Sequence, residues 1–291
     1  MIYSQANDKK ASILLIYTGG TIGMKVDPVL QALTPFDFSQ ILDEVPELGK
    51  FAYRIDSYTF DPLIDSSDVE PSLWLELVGL IEDRYDEYDG FVILHGTDTM
   101  AYSASALSFM IEGLTKPVIF TGSQLPIGVP RTDGKENLIS SVEIAAAKDA
   151  DGHAIVPEVC ICFDNVLMRG NRASKINSDN FRAFRSPNCP PLAEAGISIR
   201  YNTLNIRKPE SWDTKPIFHK NLDTRVSILK MHPGITPQIV RTILCGNDTR
   251  AVIIETYGAG NAPSKEWFIE IVREASSMGK ILLNVTQCLA G

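Results

Sequence analysis

The strongest constraint on the fold is a recurring pattern: a short run of apolar residues, stopped by glycine, then helix-compatible sequence. Ile13-Leu14-Leu15-Ile16-Tyr17 runs into Thr18-Gly19-Gly20-Thr21, and Phe91-Val92-Ile93-Leu94 runs into His95-Gly96-Thr97-Asp98-Thr99. A strand apolar at every position must be covered on both faces, as in a parallel sheet. Similar runs occupy 117–121 and 159–163. Helical stretches are expected between them at 71–88, with proline in the first turn, at 100–112 and at 135–148. The stretch 100–112 is apolar nearly all round and predicts a well-buried helix. This alternation predicts an α/β chain whose larger, N-terminal part is a doubly wound, mainly parallel sheet. Ligands bind beyond the carboxyl ends of such strands, which is where Thr21, Thr97 and Asp98 fall.

From Asn188 the texture changes. Pro190, Pro191, Pro209 and Pro216 interrupt the pattern, and 201–220 reads as a linker. A second α/β series follows: strands at 226–230, 251–257 and 280–286, with helices at 236–244 and 264–278. The expected division is an N-terminal domain over 1–200, the linker, and a smaller C-terminal domain over 221–291 with a parallel sheet and helices. The last strand runs into Thr286-Gln287-Cys288-Leu289-Ala290-Gly291 with little left to cover the sheet. That ending reads as a domain cut short, or naturally minimal.

The net charge is −9, from 27 basic and 36 acidic residues, which argues against a nucleic-acid partner. No apolar run is long enough to span a membrane, and the polar start up to Lys10 lacks the pattern of a signal peptide. The five cysteines are odd in number and show no zinc spacing, and the four histidines are scattered. Reduced thiols in a cytoplasm, with no metal, are the expectation.

Several residues have the chemistry for a site, and each has a plainer reading. Thr21 is either a hydroxyl awaiting a base or part of a tight turn. Its glycines match neither a dinucleotide-binding fingerprint nor a P-loop. Asp98 orients a donor, binds a cationic amine, or caps the following helix. His95 is a base or a satisfied structural histidine. Lys175 is a solvated loop lysine or, if buried beside a hydroxyl, a proton acceptor. The polar turn from Asp61 to Asp68 is a helix start, an anion-binding terminus, or both.

Thr18-Gly19-Gly20-Thr21-Ile22 and His95-Gly96-Thr97-Asp98-Thr99-Met100 together resemble the two signatures of bacterial-type L-asparaginases. Asp65-Ser66-Ser67-Asp68, Thr121-Gly122-Ser123-Gln124, Arg169 through Lys175, Pro190-Pro191-Leu192, Tyr257 to Pro263 and Thr286-Gln287-Cys288 are similar to the cytoplasmic type I branch. The resemblance implies hydrolysis of L-asparagine to L-aspartate and ammonia, with no metal or organic cofactor, by a homodimer or homotetramer. It implies Thr21 as nucleophile, with Thr97, Asp98 and Lys175 as a second catalytic cluster. Asp65, Ser66, Thr97 and Asp98 would bind the amino-acid head, and Ser123 would lie near the side-chain amide. Cys288 would take part in a separate regulatory asparagine site, its plainer reading being a small buried hydrophobe. The motifs leave open which threonine attacks first.

Two features depart from the family pattern. Many members have a tyrosine in the loop after the first motif. The span from Gly23 to Phe36 has none, although Tyr17 lies just before the motif. The family also continues beyond Thr-Gln-Cys. Two other readings on the same fold are a non-catalytic asparagine sensor and the tRNA-dependent amidotransferase subunit that supplies ammonia. The second normally carries an added N-terminal domain, and the acidic charge disfavours RNA.

Overall fold

The computed structural model describes residues 11–26, 33–35 and 41–290. Part of the loop between Gly23 and Phe36, where the missing tyrosine would sit, lies outside the described residues. The chain divides into two units, Met1–Lys220 and Asn221–Gly291.

The first unit is built on β1 (Ser12–Tyr17), β2 (Arg54–Thr59), β3 (Gly90–Leu94), β4 (Val118–Thr121), β5 (Val159–Phe163), β6 (Val166–Arg169), β7 (Ala193–Ala195) and β8 (Ile199–Tyr201). Their order across one sheet is β8-β7-β6-β5-β4-β3-β1-β2. The five strands from β2 to β5 pair in parallel, and the last three join antiparallel. Strand order therefore reverses between β1 and β3. The chain leaves β1 toward one edge and leaves β3 toward the other, which opens a crevice beyond the ends of these two strands.

The apolar runs account for the layers. Leu14 and Ile16 of β1 face one core with Leu73, Leu77, Val78 and Ile81 of α1 (Pro71–Arg84) and Met100, Ala104 and Leu107 of α2 (Met100–Met110). Ile13, Leu15 and Tyr17 face the opposite core with Leu138 and Val142 of α3 (Gly134–Ala146). Alternate residues of one strand thus enter different cores, as a sheet covered on both faces requires.

Two expectations need correction. The helix from Met100 is not buried all round: Tyr102 is 65% and Phe109 71% exposed. Residues 201–220 are not a free linker. Ile206 is buried, Ile217–Phe218 pairs with Ile111–Glu112, and the Arg207 amide donates to Glu158 at 2.7 Å. Prolines there interrupt regular structure without preventing packing. The first sheet is mainly parallel, as expected, with the antiparallel strands β6 to β8 at one edge.

The second unit is a parallel sheet, β9 (Val226–Lys230), β10 (Ala251–Thr256) and β11 (Ile281–Thr286), with α4 (Pro237–Leu244) and α5 (Glu266–Ser277). Leu229, Val252 and Ile254 pack with Val240, Leu244, Phe268 and Ile271. Val226, Ile228, Ile281 and Leu283 are exposed. Among the described residues no helix is long and apolar enough to cross a membrane.

Candidate active site

The ends of β1 and β3 are tied before they diverge. Thr18 donates to the Leu94 carbonyl through both its amide and its hydroxyl, each at 3.0 Å. Beyond that tie the two turns approach backbone to backbone. A Cβ on Gly20 would lie 2.6 Å from the Gly96 Cα, and one on Gly96 would lie 2.4 Å from the Ser66 hydroxyl. Only glycine allows this approach.

Thr21 begins a single turn of 3-10 helix, Thr21–Gly23, at the crevice. It borders a cavity of about 300 Å³ together with Tyr17, Asp65, Ser66, Gly96, Thr97 and Asp98. Two loops from the carboxyl ends of neighbouring parallel strands and the turn before α1 therefore face one space. Ser66 couples them: its hydroxyl accepts from the Asp98 amide at 3.3 Å, and its carbonyl accepts from the Thr99 hydroxyl at 2.6 Å. Asp65 begins the Ser66–Asp68 turn. The Ser67 amide and hydroxyl both donate to its carboxylate at 2.8 Å, and the amide above all holds the carboxyl below the usual range.

Lys175 comes from the segment that follows β6. It follows the short helical turn Gly170–Arg172 and pairs with Phe184 in a two-residue ladder. Its ammonium donates to the Thr97 hydroxyl at 2.8 Å and to the Asp98 carboxylate at 2.7 Å. The lysine side chain is only 19% exposed, so it is no solvated loop lysine, whereas that of Asp98 is 61% exposed. Asp98 does not cap α2. Thr99 holds the cap position, without a side-chain cap bond, and the Asp98 carboxylate turns to Lys175.

His95 is fully partnered behind the site. Its Nδ1 lies 2.7 Å from the Gly96 carbonyl, and Nε2 lies 3.0 Å from the Ser103 hydroxyl. Burial pulls its pKa down to about 4, so the ring is neutral and serves as structure.

Ser123 and Cys288 have surroundings of their own. Ser123 is buried, donates to the Leu125 carbonyl at 2.5 Å, and is not among the residues bordering the cavity with Thr21. Its loop is shaped by Asp133, whose carboxylate accepts from the Gln124 and Leu125 amides. Cys288 belongs to the second unit and is exposed, so the reading of it as a buried hydrophobe fails. Its amide donates to the Thr286 hydroxyl at 3.0 Å.

Two further residues contribute that the sequence did not assign to the site. Tyr17 borders the cavity as the last residue of β1. Trp74 donates from α1 to the Ser103 hydroxyl that holds His95. Tyr17 had a signal, its place directly before the turn, while Trp74 had none.

Comparison with known proteins agrees along the chain. Residues 12–207 match the family model Asparaginase, N-terminal, and residues 225–291 match the Glutaminase/Asparaginase C-terminal domain. L-asparaginase 1 of Escherichia coli K12 is 44% identical over 286 residues, covering 97% of this chain and 81% of the relative. The crystal structure of L-asparaginase I from Vibrio cholerae superposes with a TM-score of 0.88 at 42% identity, covering 97% of this chain and 83% of that one. The thermostable L-asparaginase from Thermococcus kodakarensis gives a TM-score of 0.84 at 32% identity, over 96% and 81% of the two chains.

Proposed function

We propose that the chain, which belongs to the asparaginase family, hydrolyses L-asparagine to L-aspartate and ammonia with Thr21 as nucleophile. The observation that carries this reading is the meeting of Thr21 with Thr97 and Asp98 in one 300 Å³ cavity, with Lys175 bonded to the latter pair.

The Thr21 hydroxyl attacks the side-chain amide carbon. Its proton passes to the amide nitrogen, the carbon–nitrogen bond breaks, ammonia leaves, and an aspartyl ester on Thr21 remains. Amide groups of the glycine turn stabilise the oxyanion. A water then attacks the ester, its proton passes by way of the Thr97 hydroxyl to the departing Thr21 oxygen, and aspartate leaves as the ester carbon–oxygen bond breaks. Asp98 holds the substrate ammonium, while Asp65 and Ser66 position the amino-acid head. Ser123, in the loop after β4, lies near the side-chain amide. Recognition of both ammonium and carboxylate favours free amino acids over peptide amides.

The family resemblance supports a homodimer or homotetramer in the cytoplasm. The exposed Tyr102 and Phe109 of α2 are apolar surface that a second copy would cover. Cys288 keeps its proposed place in a regulatory asparagine site.

Steady-state release of ammonia from L-asparagine tests the function. Thr21→Ala is expected to lose turnover by about a thousandfold or more, and Lys175→Met by about a hundredfold or more. Normal turnover in Thr21→Ala protein would exclude Thr21 as the attacking group.

A further inference from the structure

Tyr17 ends β1 at the turn that carries Thr21. Its side chain is fully buried, yet it borders the same cavity as Thr21 and Thr97. Among the described residues, two contacts hold the ring. The phenol donates to the Gly20 carbonyl at 3.2 Å. The ring fills the place of a side chain on Gly23, where a Cβ would stand 2.2 Å from Tyr17 Cζ and 2.3 Å from its oxygen.

The Gly20 carbonyl belongs to the peptide unit whose N–H is that of Thr21. It also accepts the Gly23 amide, at 3.4 Å, in the bond that closes the Thr21–Gly23 turn. Both bonds are long for their type, and the phenol is the closer of the two donors. Gly20 itself has φ 94° and no side chain to restrain its backbone. The orientation of the peptide leading into Thr21 therefore leans on the phenol.

We propose that Tyr17 is a positioning residue for Thr21: by holding the Gly20 carbonyl it fixes the peptide plane from which the Thr21 side chain projects into the cavity. This deepens the reading above and rests on Thr21 being the nucleophile. No tyrosine occurs from Gly23 to Phe36, and Tyr17 brings a phenol to the same turn from the strand side. Burial raises its pKa to about 12, so it remains a donor across the working range of pH. Small misplacement of a reacting group is costly in rate, so a single donor at this point matters.

Tyr17→Phe keeps the ring against Gly23 and removes the phenol oxygen, and with it the bond to the Gly20 carbonyl. The expected result is a fall in kcat of about tenfold or more with KM changed by less than about threefold. The melting temperature should fall by no more than about 4 °C. Tyr85→Phe is the control, since its buried phenol bonds Thr115 and does not border the cavity. It should lose comparable stability and keep kcat. Gly23→Ala, which displaces the ring, should lower kcat as Tyr17→Phe does, and the two losses should not add in the double variant. A Tyr17→Phe kcat within about twofold of the parent, or an equal kcat loss in Tyr85→Phe, overturns the proposal. Thr21→Ala measured alongside separates the two claims: full turnover there removes the nucleophile reading, whatever Tyr17→Phe does.

Discussion

His95 shows how a residue beside a reactive loop can serve by staying inert. It is 1% exposed, and both ring nitrogens are engaged. A carbonyl can only accept, so Nδ1 carries the proton toward Gly96 and Nε2 accepts from Ser103. Ser103 in turn accepts from the Trp74 indole at 3.0 Å. The chain of donors runs from α1 through α2 to the loop that bears Thr97. Its folded pKa of about 4 lies below the unfolded value of 6.5. Between those values the unfolded state binds the proton and the folded state does not, so stability rises with pH there. The contribution is complete above pH 6.5 and is lost as pH falls toward 4, amounting to roughly 3 kcal/mol. Urea unfolding across that window should show a steeper acid loss in the parent than in His95→Gln, and identical slopes would refute the assignment. The strand-end position of His95 is legible in the sequence. Its partners are not, because Trp74 and Ser103 reach it only through the packing of two helices. Lys175 teaches the same lesson, since no local pattern marks a lysine whose burial comes from tertiary contact.

At the scale of elements, the parallel core was more legible than its antiparallel extension. β1, β3, β4 and β5 announce themselves as continuous apolar runs, whereas β2 is largely exposed and β7 and β8 are only three residues long. The turn joining β5 to β6 did carry a signal. Asp164 and Asn165 both adopt positive φ, 49° and 63°, as a two-residue hairpin requires. The brace behind that hairpin was invisible in sequence. Arg169 at the end of β6 meets Glu158 with bonds of 2.5 and 3.0 Å, their side chains 12% and 8% exposed. The same arginine donates to the Asn205 carbonyl at 2.6 Å, and Glu158 accepts from the Arg207 amide. The pair thus fastens the proline-rich stretch to the sheet. Removing one partner strands the other charge away from water, so Arg169→Met should cost about 3–5 kcal/mol in denaturant unfolding. Adding Glu158→Gln should recover part of that loss. A surface-like cost near about 0.5 kcal/mol would show the pair to be solvated.

For the whole molecule, the runs and their spacing gave the fold class but not the strand order, which depends on the direction in which each crossover turns. The order places the reversal between β1 and β3, so the crevice collects Thr21, Ser66, Thr97 and, from beyond β6, Lys175. These groups share no local sequence, and only the family resemblance joined them before the topology did. A ligand gripped there ties together segments spread across most of the first unit. It binds the folded chain and not the unfolded one, so it must raise stability by mass action. L-aspartate at a hundred times its Kd should add about 2.7 kcal/mol, read as a concentration-dependent rise in melting temperature. On the proposed assignment, in which Asp65, Ser66 and Asp98 hold the head group and Thr21 only attacks, Thr21→Ala should keep the rise while ammonia release is lost. Asp98→Ala should blunt the rise. If Thr21→Ala abolished the rise as well, Thr21 would belong to the binding of the head group and its loss of turnover would no longer measure chemistry.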